Sequence, residues 1–91
     1  MEELAAFFNR NGVLRLPDAE RRAKHSRTYK KGYEVRFVAH SALELRRIRA
    51  LLRRAGFPVA ASFSKSRRQV QPLYGKAYVQ QFQEFLEGTG T

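Results

Sequence analysis

The residues of this chain that could do chemistry are its cations and a few amides. Arg21, Arg22, Lys24, Arg27, Lys30 and Lys31 crowd one arm between Ala19 and Gly32, with His25 and Tyr29 among them. Lys65, Arg67 and Arg68 crowd a second point around Ser66. Arg15, Arg36, Gln69 and Gln71 stand in alternating stretches, where every second side chain shares a face. Cations at such points track phosphates. Arg can pair with guanine O6 and N7, and Gln with adenine N6 and N7. The whole chain has the same bias: 18 Lys and Arg against 8 Asp and Glu leave a net charge of +10, with a pI near 10.9. A field of that sign and size favours a polyanion, DNA or RNA ahead of an anionic membrane surface.

Other chemistries lack their residues. With no Cys there is neither a disulfide framework nor a thiolate metal site. His25 and His40 are isolated from any cluster at ligand spacing, so no metal site and no cofactor are expected. No Ser-His-Asp set, Gly-rich phosphate loop or carboxylate pair is present. No apolar run is long enough to cross a bilayer, and no charged segment leads an apolar stretch at the start. The expectation is an intracellular, cytoplasmic protein without a membrane partner, nucleoid-associated if it holds DNA.

The elements that must position these residues follow from period and punctuation. Ninety-one residues make one small domain, 1–91, with a modest core. Leu4, Phe7 and Phe8 set a helix from Glu2 to Asn9, stopped by Gly12 in a left-handed C-terminal position. Val13 to Leu16 alternates as a short strand, and Pro17-Asp18 bends the chain. Tyr33 to His40 is the clearest strand, with Tyr33, Val35, Phe37 and Ala39 on one face and Glu34, Arg36, Val38 and His40 on the other. Ser41 and Glu44 form a capping box before a helix whose apolar stripe is Leu45, Ile48, Leu51, Leu52 and Ala55. Its arginines (46, 47, 49, 53 and 54) are expected to face away from the sheet as general positive field, and Gly56 ends it. Val59 to Lys65 and Gln69 to Leu73 read as a hairpin turning at Lys65–Arg68. Ala61, Phe63 and Val70 are expected inward, with Ser62, Ser64, Gln69 and Gln71 on the open face. A last helix from Lys76 to Leu86 buries Val79, Phe82, Phe85 and Leu86, and residues from Gly88 on are expected to fray.

The order is helix, two strands, helix, two strands, helix. It predicts an α+β domain, a four-stranded antiparallel sheet with helices on one face and a polar, basic second face.

The first helix carries a resemblance as well. Leu4-Ala5-Ala6-Phe7-Phe8-Asn9-Arg10-Asn11-Gly12 resembles the LAGLIDADG motif of homing endonucleases, with Leu4, Ala5 and Gly12 matching. The element order, the basic balance, the length and the Tyr74-Gly75-Lys76 entry into the last helix are similar to that family too. The resemblance implies a homodimer, since one motif is present, with Leu4, Ala5, Ala6 and Phe8 near the contact. It implies duplex DNA under the open sheet face and hairpin turns on the phosphates. In the family the acidic residue before the motif Gly holds Mg²⁺; here that position is Asn11, a much poorer ligand for a hard cation. The expected function is therefore a homodimeric double-stranded DNA binder that has lost cleavage. The alternatives are an active Mg²⁺-dependent homing or nicking endonuclease, an RNA-binding module like the family's maturases, and an adaptor for an acidic protein.

Overall fold

The computed structural model describes residues 1–16 and 32–89. Along them run α1 (Glu2–Asn11), β1 (Val13–Arg15), β2 (Glu34–Ala39), α2 (Ala42–Arg54), β3 (Phe63–Lys65), β4 (Arg68–Tyr74) and α3 (Lys76–Thr89). The class is α+β: a four-stranded antiparallel sheet in the order β1-β2-β4-β3, with three helices among the described residues. Arg21, Arg22, Lys24, Arg27, Lys30 and Lys31, the expected phosphate-tracking arm, lie outside the described residues.

Alternation along β2 sends Val35, Phe37 and Ala39 to one side of the sheet, where all three are buried. Leu4 of α1, Ile48 and Leu52 of α2, Leu73 of β4, and Val79 and Phe82 of α3 close on them with no exposed surface. The strand residues in this core all belong to one sheet face, so the helices form a single layer. Phe8, Phe37 and Phe82 meet edge to face, with ring centroids 6.4, 5.6 and 5.3 Å apart. Such pairs add about 1 kcal/mol each beyond the area they bury.

The ends of α2 follow from the punctuation. Ser41 Oγ accepts from the Glu44 backbone N–H at 3.1 Å. At the other end Phe57 N–H donates to the Leu52 carbonyl and Gly56 N–H to that of Arg53, a Schellman pair with Gly56 at φ +84°. The capping box is only half made, because the Glu44 carboxylate accepts from His40 N–H rather than from that of Ser41.

Several expectations are corrected. Helix α1 runs two residues beyond Asn9, and Gly12 is extended at φ −72°, not left-handed. The glycine is needed for space: a Cβ there would lie 2.6 Å from the Phe8 carbonyl oxygen and collide with the Phe8 ring. Strands β1 and β2 are shorter than Val13–Leu16 and Tyr33–His40. Strand β3 begins at Phe63 instead of Val59, and β4 extends one residue past each end of Gln69–Leu73. A ladder carried back to Ala61 would meet Pro72, which has no N–H to donate. Helix α3 continues through Gly88 to Thr89, since one Gly lowers helix propensity by only about 1 kcal/mol. Phe85 is only half buried.

The largest correction concerns the faces of the second hairpin. A two-residue turn pairs Lys65 with Arg68 and Phe63 with Val70. Pairing with β2 then sets Leu73, Gln71 and Gln69 opposite Val35, Phe37 and Ala39. Paired residues share a face, so Gln69 and Gln71 point toward the helices, and Phe63 and Val70 point to the second face. Gln71 is fully buried: its Oε1 accepts from Arg49 at 2.6 Å and its Nε2 donates to the Ala60 carbonyl at 2.7 Å. Arg49 correspondingly turns inward. The second face is not uniformly open either, because Glu34, Arg36, Val70 and Pro72 on the central strands are buried.

Packing on this scale sets two expected outcomes in chemical denaturation. Phe82→Ala removes a ring shared by Phe8 and Phe37 and costs about 3–5 kcal/mol. Gly12→Ala costs about 1–3 kcal/mol through the clash with Phe8, although alanine adopts this φ freely.

Candidate functional site

The strand order gathers chemistry at one end of the sheet. It brings together the start of β1, the end of β2, the β3–β4 turn and the last residue of α1. Between them lies a notch of about 240 Å³ lined by Asn11, Val13, Arg36, Val38, Lys65, Ser66, Arg68 and Val70. Valines form its apolar surface, Arg36, Lys65 and Arg68 are its cations, and among the described residues no carboxylate lines it.

These cations differ in kind. Arg36 Nε donates to Glu34 Oε2 at 2.8 Å, and its guanidinium lies 5.2 Å from the centre of the Phe63 ring. The residue is 8% exposed and Glu34 only 2%. Arg36 is thus a neutralised wall of the notch rather than a free base-reading side chain. Glu34 keeps its second oxygen, Oε1, buried without a hydrogen-bond partner among the described residues. By contrast Lys65, Arg67 and Arg68 are exposed and make no ion pair among the described residues.

The turn that carries them is strained. Ser66 and Arg67 both adopt positive φ, 52° and 65°. Two-residue hairpins of this kind favour Asn-Gly, because a side chain in this region costs about 1–2 kcal/mol. The Lys65–Arg68 pairing imposes this strain and sets Arg67 at the tip between them.

The notch is tied to the helices by a polar clamp. Asn11 Nδ2 donates to His40 Nε2 at 2.8 Å. Arg10 donates to both oxygens of Glu44, at 2.6 and 3.2 Å, and to the Val38 carbonyl at 3.2 Å. The Arg10 guanidinium, followed by the His40 backbone N–H, holds the Glu44 carboxyl at about 2 instead of its ordinary 4.5. Sequence spacing shows none of these links, since Arg10 and Glu44 are 34 residues apart.

The remaining expected site residues separate clearly. Arg15 is exposed on edge strand β1 and shares the second face with Arg36 and Arg68. Gln69 is half buried and donates to Ser64 Oγ at 2.7 Å, and Gln71 is closed off in the core, so neither presents a free amide to a groove. Of the four residues placed at a dimer contact, Leu4 and Ala5 are buried and Phe8 is packed into the aromatic triangle. Ala6 alone is exposed.

Asn11 stands beside a histidine but no acidic partner, and among the described residues no three His, Cys, Asp or Glu side chains stand together as a metal-holding set. No described helix is long and apolar enough to cross a membrane. Comparison with protein-family models, with curated proteins and with solved structures finds no match for this chain.

Two measurements check this geometry. Glu44 has a lowered folded-state value, so its contribution to stability is present above about 4.5 and lost as the pH falls toward about 2. The urea midpoint should fall through that window, and Glu44→Gln should flatten that part of the curve. Replacing the turn by Ser66→Asn with Arg67→Gly should raise stability by about 1 kcal/mol, because it removes backbone strain.

Proposed function

We propose that this chain is a nucleic-acid-binding domain that holds double-stranded DNA against the second face of its sheet, with Lys65, Arg67 and Arg68 on the phosphates. The observation that carries this reading is the hairpin tip: three cations on a strained turn, without an ion pair among the described residues, beside a notch that no described carboxylate lines. The rest of the charge distribution supports it. Glu34, an acidic residue on that face, is neutralised by Arg36, and Glu3 and Glu44 are bound to Arg47 and Arg10 elsewhere. Arg15 extends the basic surface along β1.

The element order supports a form like that of LAGLIDADG homing endonuclease domains, as the motif resemblance implies. Asn11 at the acidic position supports binding without cleavage, because a neutral amide supplies no charge for a Mg²⁺ ion. The reading needs no second copy, since Leu4, Ala5 and Phe8 are committed to this chain's own core. A second reading has an observation of its own. Phe63 and the 48%-exposed Tyr74 share the basic face, an arrangement suited to stacking single-stranded RNA.

Duplex affinity measured across salt tests the proposal. Binding should be tight at low salt and should weaken steeply as salt rises. Lys65→Gln/Arg67→Gln/Arg68→Gln should weaken it and reduce the log–log salt slope by about 2–3. Absent or salt-insensitive duplex binding would sink the reading, and preference for single-stranded RNA at matched salt would replace it with the second one. Asn11→Ala should leave affinity nearly unchanged. A Mg²⁺-dependent cut lost in that variant would instead make the protein an endonuclease.

A further inference from the structure

The helix layer carries a basic surface of its own, and it is built differently from a solvated helix face. Helix α2 contains five arginines and one glutamate. Arg47 is bonded to Glu3 at 2.6 Å, and Arg49 is turned in to Gln71 and the Ala60 carbonyl. Arg46, Arg53 and Arg54 are exposed and have no hydrogen bond or ion pair among the described residues, and Arg54 alone of the three shares a groove with Glu2 and Glu3, where, after Arg47, it helps to lower the Glu3 carboxyl. They flank the outward stripe of Leu43, 73% exposed, and Ala50, opposite the buried Ile48 and Leu52. Folding alone does not favour this arrangement. Arg46 and Arg53 each stand within one turn of Arg49, and like charges at that spacing destabilise a helix. Solubility is served by interspersed signs, not by a single-sign stripe. A polyanion lying along α2 would offset the repulsion.

We propose that this outward face of α2 is a second nucleic-acid-binding surface, so that one copy of the domain bridges two duplexes on opposite sides. The proposal rests on the reading of the sheet face given above. The two surfaces belong to opposite layers, since α2 packs on the Val35–Phe37–Ala39 side and the hairpin cations line the other. The shortest principal extent of the domain is 21 Å. Charges are screened over about 8 Å at physiological ionic strength. A duplex on one face therefore leaves the potential of the other uncompensated, and the two contacts act independently. The occupant is a polyphosphate backbone, since each guanidinium on this face can hold a phosphate through paired N–H donors.

A two-duplex capture assay at physiological salt separates the two surfaces. One random-sequence duplex is fixed to beads, the protein is added, and recruitment of a second, labelled duplex is measured. Two variants each remove three positive charges: Arg46→Gln/Arg53→Gln/Arg54→Gln on α2 and Lys65→Gln/Arg67→Gln/Arg68→Gln on the hairpin. Matching circular dichroism and urea midpoints establish that both are folded. The α2 variant is expected to bind the first duplex within about twofold of the wild type and to recruit the second at least about tenfold less. The hairpin variant is expected to lose affinity for a single duplex in solution. Undiminished bridging by the α2 variant, as a dimer using two sheet faces would give, overturns the proposal. So does equal loss of both activities in both variants, which would mark an undirected field, and so does displacement of the second duplex by polyglutamate more readily than by unlabelled DNA. Wild-type binding of one duplex without a second overturns the bridge and leaves the sheet-face reading standing. No binding at all overturns both.

Discussion

Both surfaces of this domain depend on how β4 lies against β2. The pairing of Val35 with Leu73, Phe37 with Gln71 and Ala39 with Gln69 decides which side chains meet the helices. A slip of one residue would exchange the two faces of β4. The core would receive Val70 and Pro72, and the outer surface would receive Leu73 and the glutamines. Gln71 makes the observed register tolerable. A buried amide is costly unless its donors and acceptor are met. Here Arg49, the Ala60 carbonyl and the Pro72 carbonyl meet them. In return the amide anchors the chain before β3, where the ladder has stopped, and turns one arginine of α2 inward.

The placement of the few acids follows the same economy. Glu3, Glu34 and Glu44 each hold one arginine, and each pair ties parts of the fold that are separate in sequence or stiffens a single strand. The two exposed pairs, Glu3–Arg47 and Glu44–Arg10, add little stability. Among the described residues this leaves Lys65, Arg67 and Arg68 at the hairpin tip and Arg46 and Arg53 along α2 without an ion pair. Unpaired cations among the described residues therefore stand at both places.

Helix α1 shows how far a motif reading carries. Its apolar spacing belongs to a helix that must bury one stripe, and Leu4, Ala5, Phe7 and Phe8 do pack toward this chain's own core. The same spacing serves a contact between copies in the family that the stretch resembles, and local sequence does not distinguish the two uses. Gly12 looked like a left-handed stop for a helix. It is instead a place where the chain passes too close to Phe8 for any side chain.

What the amino-acid order determined by itself is the set of elements, the class and the sign of the field. Period-two and helical spacings are local, and so are the Ser41 cap, the Gly56 stop and the Lys65–Arg68 turn. Net charge needs no structure at all. Tertiary structure alone decided which face of β4 is inside, because Phe63, Val70, Gln69 and Gln71 suit either parity until β2 and Arg49 are in place. It alone decided that Arg36 is closed in beside the Phe63 ring while Arg68 is exposed, since that contact needs β2, β4 and β3 paired side by side. It also made the Arg10–Glu44–His40–Asn11 clamp, whose members meet only when α1 docks at the junction of β2 and α2. Burial and pairing depend on what packs opposite a residue, and neighbours along the chain carry no record of that.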